Sequence, residues 1–240
     1  SGFGSTAIGR PGSFNGQYWN GSIDDVKIYN YALTAEEVKL DMNRSASQVL
    51  GSAGDNSGSA IGSASQEYCI PGDSSTCTAP VGRWDFEEGS GTSAFDKSGN
   101  ANTGTLTLGP TWTNGKYGGA VNFDGSNDTV AVSSPPQLGS AFTIGFWARP
   151  TASLGGNDNF IGVWNVTGWL FRSNDGTDLQ FYNGGSNYTS SVNAIAKGVW
   201  QYFSVTYDGS FYKLYKDGNT ILTSSASQAA PTNNAAMAIG

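Results

Sequence analysis

The chain contains no histidine. That absence removes Ser-His-Asp and Cys-His nucleophilic catalysis and every histidine-ligated metal site. Charge is scarce too, since Asp, Glu, Lys and Arg make up 13% of 240 residues, roughly half the usual share. The balance is acidic, with a formal net charge of -7. Such a surface disfavours non-specific attachment to nucleic acid or an anionic membrane and is compatible with divalent cations. No run of ~20 apolar residues is present, so no membrane-spanning helix is written in the chain. No basic-then-apolar signal segment opens it, as expected of a mature or excised piece. Only two cysteines occur, Cys69 and Cys77. They close a small disulfide loop or remain thiols; the Ser-, Gly-, Asn- and Thr-rich composition looks extracellular and favours the disulfide. Asn-x-Ser/Thr triplets at Asn20, Asn43, Asn127, Asn165 and Asn187 arise readily by chance in such a chain and matter only in a glycosylating host.

What the chain has in quantity is glycine, 34 residues, and aromatics, 12%. Together they suit a packed core with many tight turns. Short apolar-alternating segments recur at residues 83–87, 120–123, 130–132, 143–148, 160–163, 169–172, 179–182, 200–207 and 211–216. Asp-Gly pairs at 124–125, 175–176, 208–209 and 217–218 read as hairpin punctuation between them. About ten strands at this spacing predict an all-β sandwich or barrel. Residues 22–29 form a further strand, with Val26 and Ile28 alternating around Lys27. One helix is predicted after it. Thr34-Ala35-Glu36-Glu37 is a capping box, and Val38 and Met42 lie one turn apart on a face that can dock on a sheet.

Three segments follow from this: residues 1–43, a Gly/Ser-rich linker over 44–81 that includes the Cys69–Cys77 loop, and residues 82–240. The stretch from Gly51 to Ser59 has almost nothing to bury and is expected to be flexible.

The string Gly82-Arg83-Trp84-Asp85-Phe86-Glu87-Glu88, with Asp96-Lys97-Ser98-Gly99-Asn100-Ala101-Asn102, resembles the opening of a laminin-G-like domain. The likeness continues through Gly115-Lys116-Tyr117-Gly118-Gly119, then Phe142 to Pro150, Trp200 to Gly209 and Lys213 to Gly218. The closing strand and helix of that family stand instead at the front, from Trp19 to Glu37. The resemblance therefore implies a two-sheet antiparallel jelly-roll sandwich of the concanavalin A-like type, in permuted or phase-shifted order. Residues 1–43 then complete either this chain's sandwich or a neighbour's, and Ile23, Val26 and Ile28 are expected to pack on a core built from 82–240, with Gly240 near Ser1 of the same or an adjacent unit.

The resemblance also implies structural calcium, whose oxygen ligands are carboxylates, amide oxygens and carbonyls. The candidates are Asp96, Asn100 and Asn102, with Asp24 or Asp25 brought in from the closing strand; an Asx turn and solvated strand-end acids are the alternative. A second, weaker candidate is Asp124 with Asn127 and Asp128, alternatively a hairpin turn. Trp164, Tyr182 and Tyr188 are candidates for stacking glycans, alternatively core. The superfamily includes glucanases, but Asp85 and Glu87 lack a second glutamate in step on one strand. The reading is of a non-enzymatic, extracellular or cell-surface structural or adhesive module, a repeat of a larger surface protein or filament; a lectin-like carbohydrate-binding module is the alternative. Its partners would be copies of itself, neighbouring repeats, glycans or surface proteins, with neither nucleic acid nor membrane insertion.

Overall fold

A computed structural model describes residues 18–49, 78–151, 154–163, 168–184, 186–190, 193–225 and 237–240. Ser1, the stretch from Gly51 to Ser59, the Cys69–Cys77 pair and Trp164 lie outside the described residues. Along the chain run β1 (Asn20–Tyr29), α1 (Ala35–Val49), β2 (Gly82–Trp84), β3 (Ser93–Ala94), β4 (Gly104–Thr107), β5 (Thr111–Asn114), β6 (Gly119–Asp124), β7 (Thr129–Val132) and β8 (Phe142–Pro150). There follow β9 (Asn159–Val163), β10 (Trp169–Asn174), β11 (Asp178–Asn183), β12 (Ser186–Thr189), β13 (Gln201–Tyr207), β14 (Phe211–Lys216), β15 (Asn219–Ser225) and β16 (Met237–Ile239). They build two eight-stranded antiparallel sheets, a sandwich as expected. One is ordered β15-β14-β13-β8-β1-β6-β5, with β2 also paired to β1. The other is ordered β12-β11-β10-β9-β16-β7-β4-β3.

Strand β1, from the front of the chain, occupies the middle of the first sheet. It pairs with β8 along one side and shares its other side between β6 and β2. Ile23, Val26 and Ile28 are wholly buried in the core between the sheets, with Trp84, Phe123, Phe146, Phe160 and Phe203. Burying three such side chains is worth about 4.5–9 kcal/mol at ~1.5–3 kcal/mol each. That is comparable with the whole net stability of a domain, about 5–15 kcal/mol. The sandwich depends on its first strand.

The spacing of those three residues explains the double aspartate. Strict alternation would turn Val26 outward if Ile23 faces in. The pairing of β1 with β8 shifts between Asp24 and Lys27, and Asp25 adopts a left-handed φ of 50°. One extra residue is absorbed by this bulge, which restores Val26 and Ile28 to the core face.

On the other face of this sheet α1 covers a second apolar cluster. It contains Tyr29, Leu33, Val38, Trp147, Tyr202 and Tyr215, with Met42 and Tyr117 at its margin. The capping box forms as predicted: Thr34 N–H donates to Glu37 Oε2 at 2.7 Å, and Glu37 N–H to Thr34 Oγ1 at 3.3 Å. The helix continues to Val49, into residues that composition alone assigns to the linker.

One expected turn has a different job. Asp-Gly at 175–176, 208–209 and 217–218 joins paired strands. At 124–125 it joins β6 to β7, which lie in different sheets. There Asp128 Oδ2 accepts Asp124 N–H at 3.0 Å and Asp124 Oδ1 accepts Ser126 N–H at 2.7 Å, which turns the chain from one layer to the other.

Candidate functional site

Four acidic side chains of the opening segment all take up structural bonds. Asp85 Oδ1 accepts from Arg83 Nε at 2.7 Å, and Glu88 Oε1 from Phe95 N–H at 2.9 Å. Glu87 accepts Gly119 N–H on both oxygens at 3.1 Å. Asp96 is the most heavily bonded. Its Oδ1 accepts from the backbone of Arg83 at 3.0 Å and of Ser98 at 2.8 Å. Its Oδ2 accepts from Ser98 Oγ at 2.8 Å, Asn102 N–H at 2.9 Å and Asn102 Nδ2 at 2.8 Å. Burial opposes the charge of Asp96, but the N–H groups of Ser98, Arg83 and Asn102 outweigh it and hold the carboxyl below its usual value. Asn100 and Asn102 turn their amide nitrogens to Val81 O, at 3.2 and 3.1 Å. The segment 96–102 is thus closed by its own hydrogen bonds, in the Asx-turn manner.

Asp24 is placed differently. It is fully buried, on the helix-covered face of β1 opposite Trp147. Its Oδ2 accepts the N–H groups of Lys116 at 2.8 Å and Tyr117 at 3.1 Å. Its Oδ1 is buried with no hydrogen-bond partner. Burial first, then the charge of neighbouring Asp25, pushes the Asp24 carboxyl up to about 9. Glu87 adds to the same effect. The turn at 115–119 seats on these acids because glycine permits it: a Cβ on Gly118, at φ +65°, would lie 2.1 Å from Glu87 Oε1, and one on Gly115 2.5 Å from Asp24 Oδ2. Asp24 and Asp96 share no bonding partner among the contacts given above, so the structure leaves the two halves of the expected calcium set in separate hydrogen-bond groups. Among the described residues no three Asp, Glu or Cys side chains meet as a ready ligand set.

A second polar group lies on this face, around Lys27. Its ammonium is buried and lies 3.3 Å from Asp41 Oδ1 on α1, both side chains 2% exposed. Tyr29 OH donates to Asp41 Oδ1 at 2.6 Å and Tyr202 OH to Asp41 Oδ2 at 2.7 Å. Burial works against the Lys27 charge, but Asp41 and then Asp25 outweigh it and hold the ammonium above its ordinary value. Gly145 lies opposite Lys27 in the sheet. A Cβ there would come within 2.1 Å of the Tyr202 hydroxyl, so that bare position makes room for the network. The sequence signal was the apolar spacing 23, 26, 28, which puts Lys27 under the helix.

Of the expected glycan aromatics, Tyr188 is a core residue rather than a surface one. Its partner in the ladder is Phe181, so it faces inward, and it stacks on Tyr212 with ring centroids 4.2 Å apart. Tyr182 is half-buried on the outer face of the second sheet, with the Arg172 guanidinium 5.5 Å over its ring. Arg172 Nε in turn donates to Gln180 Oε1 at 2.6 Å. At one end of the sandwich a cavity of about 220 Å³ is lined by Pro150, Leu154, Asp175, Gly176, Thr177, Ile195 and Lys197; neither Tyr182 nor Tyr188 lines it. No helix among the described residues is long and apolar enough to cross a membrane.

Solved structures are similar to the chain at low identity. Domain 4 of AbnA, a GH43 extracellular arabinanase from Geobacillus stearothermophilus solved in complex with arabinotriose, is 18% identical with a TM-score of 0.50, over 60% of this chain and 76% of that one. The receptor binding domain of botulinum neurotoxin D is 13% identical with a TM-score of 0.49, over 61% and 41%. Domains LG4-5 of the mouse laminin alpha1 chain are 20% identical with a TM-score of 0.36, over 47% and 31%. Curated protein sequences give no match. The laminin-G-like family described as the concanavalin A-like lectin/glucanases superfamily matches residues 1–39 and 123–240. On that match, which spans more than half of the chain, this protein belongs to the concanavalin A-like lectin/glucanases superfamily.

Proposed function

We propose that the chain is an extracellular structural or adhesive module of a larger surface protein, held by calcium and working through contacts with copies of itself, neighbouring repeats or other surface molecules. The observation that carries the reading is the buried pair Asp24–Asp25 in the middle of the first sheet, with Asp24 Oδ1 lacking a hydrogen-bond partner. A buried anionic oxygen of this kind is costly unless a cation or proton neutralises it. The donors fit calcium, which takes six to eight oxygens. Asp24 and Asp25 would supply the charge, and backbone carbonyls and water the remainder. The Asp96 carboxylate, already accepting five protein hydrogen bonds, would serve its loop rather than the ion. Calcium here would lock β1, the strand on which closure of the sandwich depends. The extracellular setting is supported by the composition and by the arabinanase domain of similar fold. Labelling of intact source cells by antibodies raised against the chain tests this reading; signal only after the cells are broken open would refute it.

A second reading, as a carbohydrate-binding module, is favoured by the arabinotriose complex of AbnA domain 4. The polar outer face around Arg172, Gln180, Tyr182 and Asn187 is where a glycan would lie. A glycan array probed with the calcium-loaded chain distinguishes the two, because binding lost on Tyr182→Ala would assign the lectin role.

A further inference from the structure

Lysine is almost never fully buried without a partner. Here Lys27 has one, and the surroundings are unusual for a simple ion pair. Nζ stands 3.3 Å from Asp41 Oδ1 and 3.3 Å from Asp41 O. Both carboxylate oxygens are clamped by phenol hydroxyls, Tyr29 on Oδ1 at 2.6 Å and Tyr202 on Oδ2 at 2.7 Å. Gly145 removes the side chain that would have filled the space under Tyr202. Nucleophile and acyl carbon are held by two different elements, strand β1 and helix α1, across a gap closed to solvent.

We infer that Lys27 and Asp41 condense to an intramolecular amide that ties β1 to α1. One ammonium proton first passes to an Asp41 carboxylate oxygen, the freed Nζ lone pair forms a bond to Asp41 Cγ, and the Cγ–O bond to the protonated oxygen breaks. Two of the three ammonium protons leave with that oxygen as water, and the third remains as the amide N–H. The ion pair and the products balance with no oxidant, reductant or activated donor. Three features favour the step. Packing fixes the reacting groups at contact distance, which replaces a bimolecular encounter by a local one. Burial makes the starting ion pair expensive, and the product carries no charge. The tyrosine hydroxyls are placed to stabilise the oxygen that turns negative as Nζ attacks, in the manner of an oxyanion hole. The cross-link would serve a surface module directly, since it fastens the helix to the strand that completes the sandwich. It does not depend on calcium or on any ligand.

The test is the intact mass of the purified full chain, followed by tryptic mapping. The expected result is a mass lower than the sequence mass by one water. Trypsin should fail to cut after Lys27, and the peptide from Leu40 to Arg44 should be found attached to the Lys27 side chain. Mapping matters because an imide at any of the four Asp-Gly pairs would also remove one water. The variant Lys27→Arg keeps a cation against Asp41 and preserves the fold, but should show the full mass. A folded wild-type chain with the full sequence mass and a free peptide from Leu40 to Arg44 would overturn the inference. So would a water deficit that mapping places elsewhere.

Discussion

Tyr18 and Gly240, at opposite ends of the described chain, meet adjacent residues of one strand. Gly240 N–H donates to Phe160 O at 2.8 Å, and Tyr18 bridges Asn159 next to it. Trp19 seals the junction with its ring 4.3 Å from that of Phe160. The covalent order of the pieces is therefore separable from their order in the sheets. A rearranged chain running 78–240 and then 1–49 should fold to the same sandwich. Its circular dichroism should be unchanged and its melting temperature should lie within a few degrees of the original; loss of cooperative melting would count against the closed arrangement.

The bulge at Asp25 makes a sharper case, because it sets which face each β1 residue occupies. Deleting Asp25 removes the extra residue, and strict alternation from Ile23 then keeps Val26 and Ile28 on the core face and Lys27 on the helix-covered face. The deletion variant should therefore still unfold cooperatively. Asp25→Gly should remain folded in chelator, because a φ of 50° suits glycine. Loss of cooperative unfolding in the deletion variant, read in a denaturant titration, would contradict the bulge.

Gly145→Ala places a methyl 2.1 Å from the Tyr202 hydroxyl. The crowding should cost about 1–3 kcal/mol, read as a lower urea midpoint. Adding Tyr202→Phe removes the clashing oxygen and should recover part of the loss, a coupling that independent sites do not show.

The pH response follows from Asp24. Its folded value of about 9 lies above the 3.8 of a free aspartate, so between those values the folded chain holds a proton that the unfolded chain has released. Stability of the calcium-free chain must then fall as pH rises through that window. The raised carboxyls of Asp128, Asp158 and Asp178 act in the same sense, and the lowered ones of Asp96 and Asp208 in the opposite sense. Asp24→Asn isolates the contribution: its amide oxygen can accept the Lys116 and Tyr117 N–H groups without charge. In chelator, melting temperatures from pH 5 to 8 should decline for wild type and flatten for the variant. Parallel slopes would remove Asp24 from the explanation.

The strands that were legible in sequence are those whose apolar residues alternate, such as Phe142 to Ala148 and Gln201 to Tyr207. Polar strands were not: β5 reads Thr-Trp-Thr-Asn and β12 Ser-Asn-Tyr-Thr, with no alternation to mark them, and their extended form is imposed by pairing with β6 and β11. Tyr188 was a candidate for stacking glycans for the same reason. Once β12 pairs with β11, the two-residue period turns it inward. The Asp-Gly at 124–125 carries the same local chemistry as the hairpin turns, and only the tertiary arrangement sends its two flanking strands to different sheets. The polar group around Lys27 was hidden because burial of its charge is decided by a helix that arrives from beyond the strand. The aspartate pair was read as two equivalent acids, whereas the bulge gives each a separate environment.

The measurement that bears most directly on calcium as the lock of the sandwich is the melting temperature of wild type and Asp24→Asn, each in chelator and in excess calcium at pH 8. Binding to the folded state alone stabilises by about 2.7 kcal/mol at a hundredfold excess over Kd. Wild type should melt several degrees higher with calcium, while Asp24→Asn should melt above wild type in chelator and gain nothing from the ion. Superimposable wild-type curves with and without calcium would contradict the assignment outright.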